Sequence, residues 1–361
     1  MALTAGVSLV LPAGGTADDV SAGVFARTDT DGTHVISPSV SARAGVIDDR
    51  TSVTAAYAAD VWTSASIDIR TAATMRVSEQ RDELGLGVER ELSDVTVRGG
   101  YRYSHEVDYV SHGGALAVSQ RLADGNATVE TQLAASHDSV GRSGDEHFDR
   151  VVSTVGARVV LTQVVDAETV LQGAWEIARR EGFQSSPYRF VGIGGDGSCA
   201  GTAQLCIPET HPSVRLRNAF VARTRRSLGP DASVGLAYRL YVDDWGVLSH
   251  TGIAQIAFLP DDRSTVLVRY RMYFQGGASF YRERYGVPDG RLRFVSRDRE
   301  LSSMSTHRLA ASWERDVDLT ASGPTARITI GVGGSLLSYD EFVGLDRVFA
   351  LDVTLGATVE L

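Results

Sequence analysis

The chain has 361 residues, of which 43% are hydrophobic, and its 45 acidic and 35 basic side chains give a net charge of −10. All the basic side chains are arginine. The acidic balance disfavours a general nucleic-acid role, and the absence of any run of about eighteen apolar residues excludes a transmembrane helix. A membrane β-barrel remains open, because its strands need only about ten residues of alternating polarity.

The N-terminus contains a short apolar stretch, LTAGVSLVLPAGGTA, which ends in the small residues 15–17 and is followed by two aspartates. Small residues after an apolar stretch are typical of a signal-peptidase site. No basic residue precedes the stretch, so it could also be an ordinary first strand. We expect residues 1–17 to be a signal peptide, or its remnant, that directs export.

From residue 18 onwards the sequence reads as a series of strands. Segments of about ten to fourteen residues alternate in polarity and are separated by turn residues. We predict sixteen strand cores. They are 19–27, 34–45, 52–63, 82–92, 95–106, 110–121, 127–137, 150–163, 168–180, 214–226, 232–243, 248–259, 263–275, 302–315, 325–338 and 347–361.

The connections between the predicted strands are sorted by length. Most even-numbered connections are short: VIDDRT, SD, ADGN, VDAE, GPD and PDD. The odd-numbered ones include the long stretches 64–81, 138–149, 181–213 and 276–301. Bacterial outer-membrane barrels have short periplasmic turns and long external loops. The sorting therefore predicts an all-β protein, with residues 18–361 forming one closed antiparallel transmembrane β-barrel of about 16 strands and both termini periplasmic.

Parity within the strands supports this prediction. Between Thr265 and Gln275, one parity is apolar, namely Val266, Val268, Tyr270, Met272 and Phe274. An interior enclosed by sixteen strands is too wide for side chains to fill, so water enters it. We therefore expect the apolar parity to face lipid.

The last strand alternates to its final residue, so it needs neighbours on both sides, and pairing it with the first strand would close the sheet. The pattern polar-x-Gly-x-x-apolar-x-apolar is met by Thr354, Gly356, Val359 and Leu361. It resembles the C-terminal signal that barrel-assembly machinery recognises during insertion, although leucine stands where phenylalanine is usual.

Arginines concentrate on one parity of three predicted strands. They are Arg215, Arg217, Arg223 and Arg225 on the tenth strand, Arg239 on the eleventh, and Arg269 and Arg271 on the thirteenth. Inward-facing arginines would favour anions in a pore. Alternatively, they pair with acids of the interior and hold the wall together; the candidate acids are Glu89, Glu130, Glu176 and Asp243.

The segment YVDDWGVLSHTG offers a second cluster. Asp243, Asp244 and His250 are residue types that ligate metals, but Asp-Asp-Trp-Gly also favours a tight turn with Trp245 at the membrane interface. A hydrolytic triad of Ser249, His250 and Asp244 is disfavoured, because adjacent strand residues point to opposite faces. We expect no metal, no cofactor and no enzymatic activity.

Cys199 and Cys206 lie in the longest odd-numbered connection. In an exported chain such a pair is expected to form a disulfide that stiffens the loop.

Four further stretches stand out: DVWTSASID from Asp60, SPYRFVG from Ser186, LYVDDWGVLSHTG from Leu240 and RYRMYFQGGASFY from Arg269. Together they resemble a family of Gram-negative outer-membrane proteins that is catalogued as a domain of unknown function, number 3570. The resemblance covers nearly the whole mature chain and implies an outer-membrane β-barrel without assigning an activity.

We expect an integral protein of the Gram-negative outer membrane that acts as a porin-like passive channel, or as a pore component of a transport assembly. The alternative is a closed barrel that serves as a scaffold or surface-binding protein, and a remote alternative is an outer-membrane hydrolase. Expected partners are outer-membrane lipid and lipopolysaccharide, the assembly machinery during insertion, and a lipoprotein or periplasmic protein, but no nucleic acid.

Overall fold

The computed structural model describes residues 18–46, 48–64, 77–286, 292–320, 323–342 and 344–361. The predicted signal segment, residues 1–17, lies outside them. The described residues contain no helix that is long and apolar enough to cross a membrane.

The structure consists of strands joined by turns and loops. The strands are β1 (Asp19–Asp29), β2 (Thr33–Gly45), β3 (Thr51–Ser64), β4 (Val77–Leu92), β5 (Val95–Glu106), β6 (Tyr109–Leu122), β7 (Ala127–Val140), β8 (Arg150–Val164), β9 (Thr169–Gly182), β10 (Phe190–Ile193), β11 (Leu205–Pro208), β12 (Val214–Ser227), β13 (Ala232–Asp243), β14 (Leu248–Asp261), β15 (Ser264–Gln275), β16 (Met304–Asp318), β17 (Thr325–Tyr339) and β18 (Arg347–Glu360). Two short 3₁₀ turns occupy Ala123–Gly125 and Arg299–Leu301.

Sixteen of these strands form one closed antiparallel barrel. Consecutive strands pair throughout, except that β9 pairs with β12, because β10 and β11 form a separate small sheet inside the connection between them. β1 pairs with β18 and closes the barrel, from Asp19 opposite Glu360 to Asp29 opposite Ala350. The predicted fold class is confirmed, and every predicted strand core coincides with a barrel strand. β10 and β11 were missed, because four residues each are too few to show a period.

The two ends of the barrel differ. At the end that we call the turn end, the connections are short, and the longest of them is 319–324. At the opposite end, the loop end, lie the two longest described connections: loop A (183–213, between β9 and β12) and loop B (276–303, between β15 and β16). β4 begins at Val77, five residues before its predicted core, so that strand extends further towards the loop end.

The apolar parity of the strands faces outwards. On β18, Leu351 and Leu355 are 63% and 52% exposed, whereas the alternate residues Ala350 and Asp352 are 2% and 3% exposed. A soluble barrel would have the opposite arrangement, with apolar side chains inside. The outer surface is therefore the apolar one, as a lipid-facing surface requires.

The orientation of β13 can be tested with two neighbouring residues. Leu236 is 55% exposed on the outer surface, and Ala237 beside it faces inwards. We expect Leu236→Arg to lower the free energy of unfolding in lipid vesicles by about 2–4 kcal/mol, because a charge near the bilayer centre loses hydration. Ala237→Arg should change it by about 0.5 kcal/mol or less, the range of a solvated position. Urea-induced unfolding measures both, and equal losses would contradict the orientation.

Candidate functional site

A chain of alternating charges lines the interior. It consists of arginines and glutamates in contact, which we call the charge belt: Arg43, Glu89, Arg98, Glu130, Arg158, Glu176 and Arg239. Arg43 is 2.7 Å from Glu89, and Glu176 is 3.3 Å from both Arg158 and Arg239. Each glutamate contacts two arginines, so four guanidinium groups share three carboxylates.

Strand register brings these charges together. Glu89 of β4 lies directly opposite Arg98 of β5. Arg158 of β8 lies directly opposite Glu176 of β9. Opposite charges at facing positions of neighbouring strands stabilise a sheet. The belt thus stabilises the wall, because charges away from water are costly unless they are paired. It also makes the interior polar.

A second group of charges lies near the loop end. The Nη2 atom of Arg215 is 2.5 Å from Oδ2 of Asp243, and its Nε is 2.8 Å from the same oxygen. The Tyr241 hydroxyl donates to that oxygen at 2.8 Å. Oδ1 of Asp243 accepts the backbone N–H groups of Trp245 and Val247, each at 3.0 Å. Both oxygens of Asp243 are therefore occupied.

Arg217 is left without a carboxylate, although it lies directly opposite Asp243 in the register of β12 and β13. Arg180 of β9 lies directly opposite Arg215. Within the described residues, neither Arg180 nor Arg217 forms an ion pair, and the Nε of each is buried without a hydrogen-bond acceptor. Sequence reasoning missed Arg180, although Arg180 has the same parity on β9 as Glu176, which was predicted to face inwards. That shared parity is the signal that could have found it.

The same pattern recurs on β15 and β16. Arg271 lies directly opposite Arg308, and Arg308 pairs with Asp352 at 2.5 Å. The guanidinium of Arg271 lies 5.5 Å from the ring centre of Tyr273 and has no carboxylate partner in the described part of the chain. Each of these two facing arginine pairs thus contains one neutralised and one uncompensated arginine.

The remaining predicted arginines have no carboxylate partner among the described residues. Arg223 donates to Gln172 at 3.2 Å, and Arg269 donates to Gln255 at 3.2 Å. Arg225 is exposed on the same face of β12. The predicted set therefore contains both acid-paired and uncompensated arginines.

The segment after Asp243 is a tight turn, but its tryptophan is not interfacial. Trp245 is only 4% exposed and belongs to an apolar cluster with residues of loop B. Its indole N–H donates to the Val214 carbonyl at 2.8 Å, and the guanidinium of Arg215 lies 4.3 Å from its ring centre. The predicted interfacial position is wrong, because the loops at this end fold over the turn.

The other residues of this motif are separated by the wall. His250 lies on the outer surface and hydrogen-bonds the Tyr238 hydroxyl at 2.6 Å, whereas Asp243 and Ser249 face inwards and are buried. Asp244 accepts a backbone hydrogen bond from Leu216 at 2.9 Å. The described residues contain no cluster of three or more potential metal ligands.

Loops A and B form one body, which we call the loop cap. Isolated bridges join Ile193 to Tyr285 and Thr210 to Val295. Ile193, Tyr285, Val295 and Val191 are buried together between the loops. The predicted disulfide is confirmed: it joins Cys199 to Cys206 within loop A.

A buried carboxylate fastens the loop cap. Glu209 of loop A accepts hydrogen bonds from Ser296 Oγ at 2.7 Å and from the backbone N–H of Arg297 at 3.0 Å, both in loop B. Arg189 lies 3.1 Å and His211 3.4 Å from its carboxylate. Burial opposes the charge of Glu209, but Arg189 and the hydrogen bonds outweigh it and hold the pKa of Glu209 well below its usual range.

The loop cap is also tied to distant parts of the rim. Tyr188 of loop A donates to Asp108 in the connection between β5 and β6. Arg299 of loop B pairs with Asp31 in the connection between β1 and β2 at 2.6 Å. The cap is therefore attached along much of the loop end and lies beside the uncompensated Arg180 and Arg217.

Three of the four residues of the predicted insertion signal lie on the closing strand, and Leu361 follows it directly. Gly356 is opposite Gly23 of β1, and Val359 is opposite Val20. Thr354 faces Gly331 of β17. The backbone N–H of Leu361 donates to the Asp18 carbonyl at 2.9 Å.

A closed antiparallel barrel with an apolar exterior and a charged interior is the architecture of outer-membrane β-barrels. Residues 75–317 match the family model described as "Protein of unknown function (DUF3570)", and the chain belongs to that family.

Solved structures give the same fold. A bacterial polysaccharide outer membrane secretin is similar with a TM-score of 0.55 and 8% identity, over 97% of this chain and 100% of that chain. CdiB from Acinetobacter baumannii is similar with a TM-score of 0.50 and 11% identity, over 94% of this chain and 60% of that chain. At these identities the similarity is one of fold alone. A search of curated protein sequences found no match.

The loop cap should respond to pH through Glu300. Burial, followed by the nearby charge of Asp298, raises the pKa of Glu300 to about 7, compared with about 4.3 in an unfolded chain. Because the folded cap favours the protonated form, its stability should rise as pH falls from above 7 towards about 4.3. We expect proteinase K, corrected for its own pH profile, to cleave loop B faster at pH 8 than at pH 6.

Glu300→Gln should abolish this difference. Glu181→Gln is the matched control, because Glu181 is exposed and pairs with Arg179 at 3.0 Å. An unchanged pH response in Glu300→Gln would show that another group is responsible.

Proposed function

We propose that this protein is integral to the Gram-negative outer membrane and acts as a passive, anion-favouring channel, alone or as the pore component of a transport assembly. The observation that carries the proposal is the set of inward-facing arginines that no carboxylate neutralises. The charge belt has more guanidinium groups than carboxylates, and Arg217 and Arg271 have no carboxylate partner among the described residues.

The width of the barrel supports an aqueous path. Barrels of sixteen strands leave more space than side chains can fill. Along β1–β4 the wall carries small residues beside a recess of 360 Å³, including Ser21, Gly23, Ser39, Ser41 and Gly85. Charged side chains of the same strands, such as Arg43 and Glu89, are paired with each other. The small residues therefore leave room for solutes beside the charge belt.

Uncompensated guanidinium groups explain why anions would be favoured. A fixed positive charge in a narrow water-filled space raises the local concentration of anions and lowers that of cations. Within about a Debye length, which is about 10 Å at 0.1 M salt, this effect is not fully screened. The preference should therefore weaken as ionic strength rises.

The geometry of the barrel also indicates which of its surfaces meets lipid, the cell exterior and the periplasm. The apolar exterior is suited to contact with lipid, and we place the loop end outside, where it meets lipopolysaccharide, and the turn end in the periplasm. The closing strand would present the insertion signal to the assembly machinery. A lipoprotein or periplasmic partner would dock at the turn end.

The loop cap favours a second candidate function. Its two loops share a buried carboxylate and an apolar cluster, so the cap has the order expected of a docking surface or a closed lid. In that case the barrel is a scaffold or surface-binding protein that does not conduct. A hydrolytic function has no such support, since Ser249 and His250 lie on opposite faces of β14.

Single-channel recording in planar bilayers tests the channel. We expect stable conductance steps, and a reversal potential in a KCl gradient that shows anion preference. Replacing both Arg217 and Arg271 by alanine should move the permeability ratio towards one, because two fixed charges are lost. Arg226→Ala is the control, since Arg226 pairs with Glu168 at the turn end at 3.0 Å.

Electrical silence from a folded, heat-modifiable barrel would contradict the channel and favour the closed scaffold. Conductance without anion preference would retain the pore but contradict the role of the arginines.

A further inference from the structure

We propose that the interior binds a phosphate dianion at Arg180 of β9 and Arg217 of β12, beside the ion pair of Arg215 and Asp243. The proposal rests on the channel function, because it names the class of solute that the interior favours. We call this pair of arginines the phosphate site.

The first argument is the local charge. Arg180 and Arg215 face each other across β9 and β12, and Arg217 is the next inward residue of β12. Like charges at facing positions destabilise a sheet. Asp243 is the one carboxylate of the described residues that pairs with any of these three arginines. The group therefore carries two uncompensated positive charges.

The second argument is that Asp243 has no capacity left. One of its oxygens accepts from Arg215 and Tyr241, and the other accepts two backbone N–H groups of the following turn. Turning Asp243 towards Arg217 would break the bonds that hold the turn. The charge of Arg217 thus needs a different anion.

The third argument is the unsatisfied donors. The Nε atoms of Arg180 and Arg217 are buried and have no acceptor, and a buried donor without an acceptor costs about 1–3 kcal/mol. The belt arginines Arg43 and Arg98 also have an unsatisfied Nε, but each has a glutamate on its terminal nitrogen. Arg180 and Arg217 lack both an acceptor at Nε and an ion pair. An oxygen-rich anion would supply the acceptor and the negative charge together.

The charge and the geometry select phosphate. Guanidinium groups bind oxyanions through paired, parallel hydrogen bonds. A phosphate monoester or free phosphate carries between one and two negative charges near neutral pH, as its second pKa is about 6, and so matches two positive charges better than a single carboxylate does. Arg180 is two residues from the end of β9 and Arg217 three residues from the start of β12. The site is therefore among the first charges of the barrel wall below the loop cap.

Calorimetry on the folded barrel in detergent tests the site. Inorganic phosphate at pH 7.5 and low salt should bind the wild-type protein, and Arg180→Gln and Arg217→Gln should each weaken binding by about tenfold, the size of one charge-assisted hydrogen bond. Arg223→Gln is the matched control: it removes a charge from the same face of β12, where Arg223 donates a hydrogen bond to Gln172, and should leave binding within about twofold of wild type.

A thermal measurement guards against misfolded variants. Because Arg180 and Arg215 repel each other, Arg180→Gln should unfold at a higher temperature than the wild-type protein when phosphate is absent. Added phosphate should raise the melting temperature of the wild-type protein but not that of Arg180→Gln.

A second binding experiment, with glycerol phosphate, separates the two possible sources of the ligand. Tighter binding of inorganic phosphate assigns the site to the free anion, and tighter binding of glycerol phosphate assigns it to a phosphorylated solute.

The proposal is overturned if the folded wild-type barrel binds neither compound, or if both substitutions leave binding unchanged. Calorimetry does not require conduction, so the two proposals fail separately. Binding by a silent barrel would remove the channel and keep the site, whereas a conducting barrel that does not bind phosphate would remove the site and keep the channel.

Discussion

The structure depends on the closure of the sheet by the pairing of β1 with β18. Inside a bilayer no water is available to satisfy a free strand edge, and each unsatisfied backbone group would cost several kcal/mol. Pairing along the whole of β1 removes both edges. Closure with sixteen strands also fixes the width, and a barrel of that width leaves more interior space than side chains can fill. The apolar exterior and charged interior follow from that one condition.

Closure also fixes the register, and the register decides which charges meet. Where arginine faces glutamate, as in Glu89 opposite Arg98, the wall gains an ion pair. Where arginine faces arginine, as in Arg180 opposite Arg215, one positive charge remains. The charge belt and the uncompensated arginines are thus two results of the same pairing. The first stabilises the barrel, and the second leaves positive charge in the interior without a carboxylate partner.

The sequence was sufficient for whatever depends on local period. Alternating polarity located all the barrel strands, the sorting of loop lengths distinguished the two ends, and two cysteines in one loop predicted the disulfide. It was insufficient where distant segments meet. Glu209 and Ser296 touch although loops A and B are far apart in the chain, and no local pattern predicts that contact. Trp245 was misplaced for the same reason, because the loop that buries it comes later in the sequence.

The candidate site was predicted in part. Parity identified Arg217 and Arg271 as inward-facing, but their lack of a carboxylate depends on what Asp243 and Asp352 bind instead. Such competition for one acceptor is set by register and turn geometry. Composition shows that the chain has many arginines, and only the three-dimensional arrangement shows which of them stay uncompensated.

The most direct test of the central claim, an apolar exterior around a water-filled interior, is thiol labelling on β13 in lipid vesicles. The native cysteines are joined to each other and leave no free thiol, so single cysteines can be placed at Leu236, Ala237 and Tyr238 without background. A charged, membrane-impermeant maleimide should label Ala237→Cys and leave Leu236→Cys and Tyr238→Cys unreacted. Equal labelling at all three positions, or labelling of the outer two alone, would contradict the account.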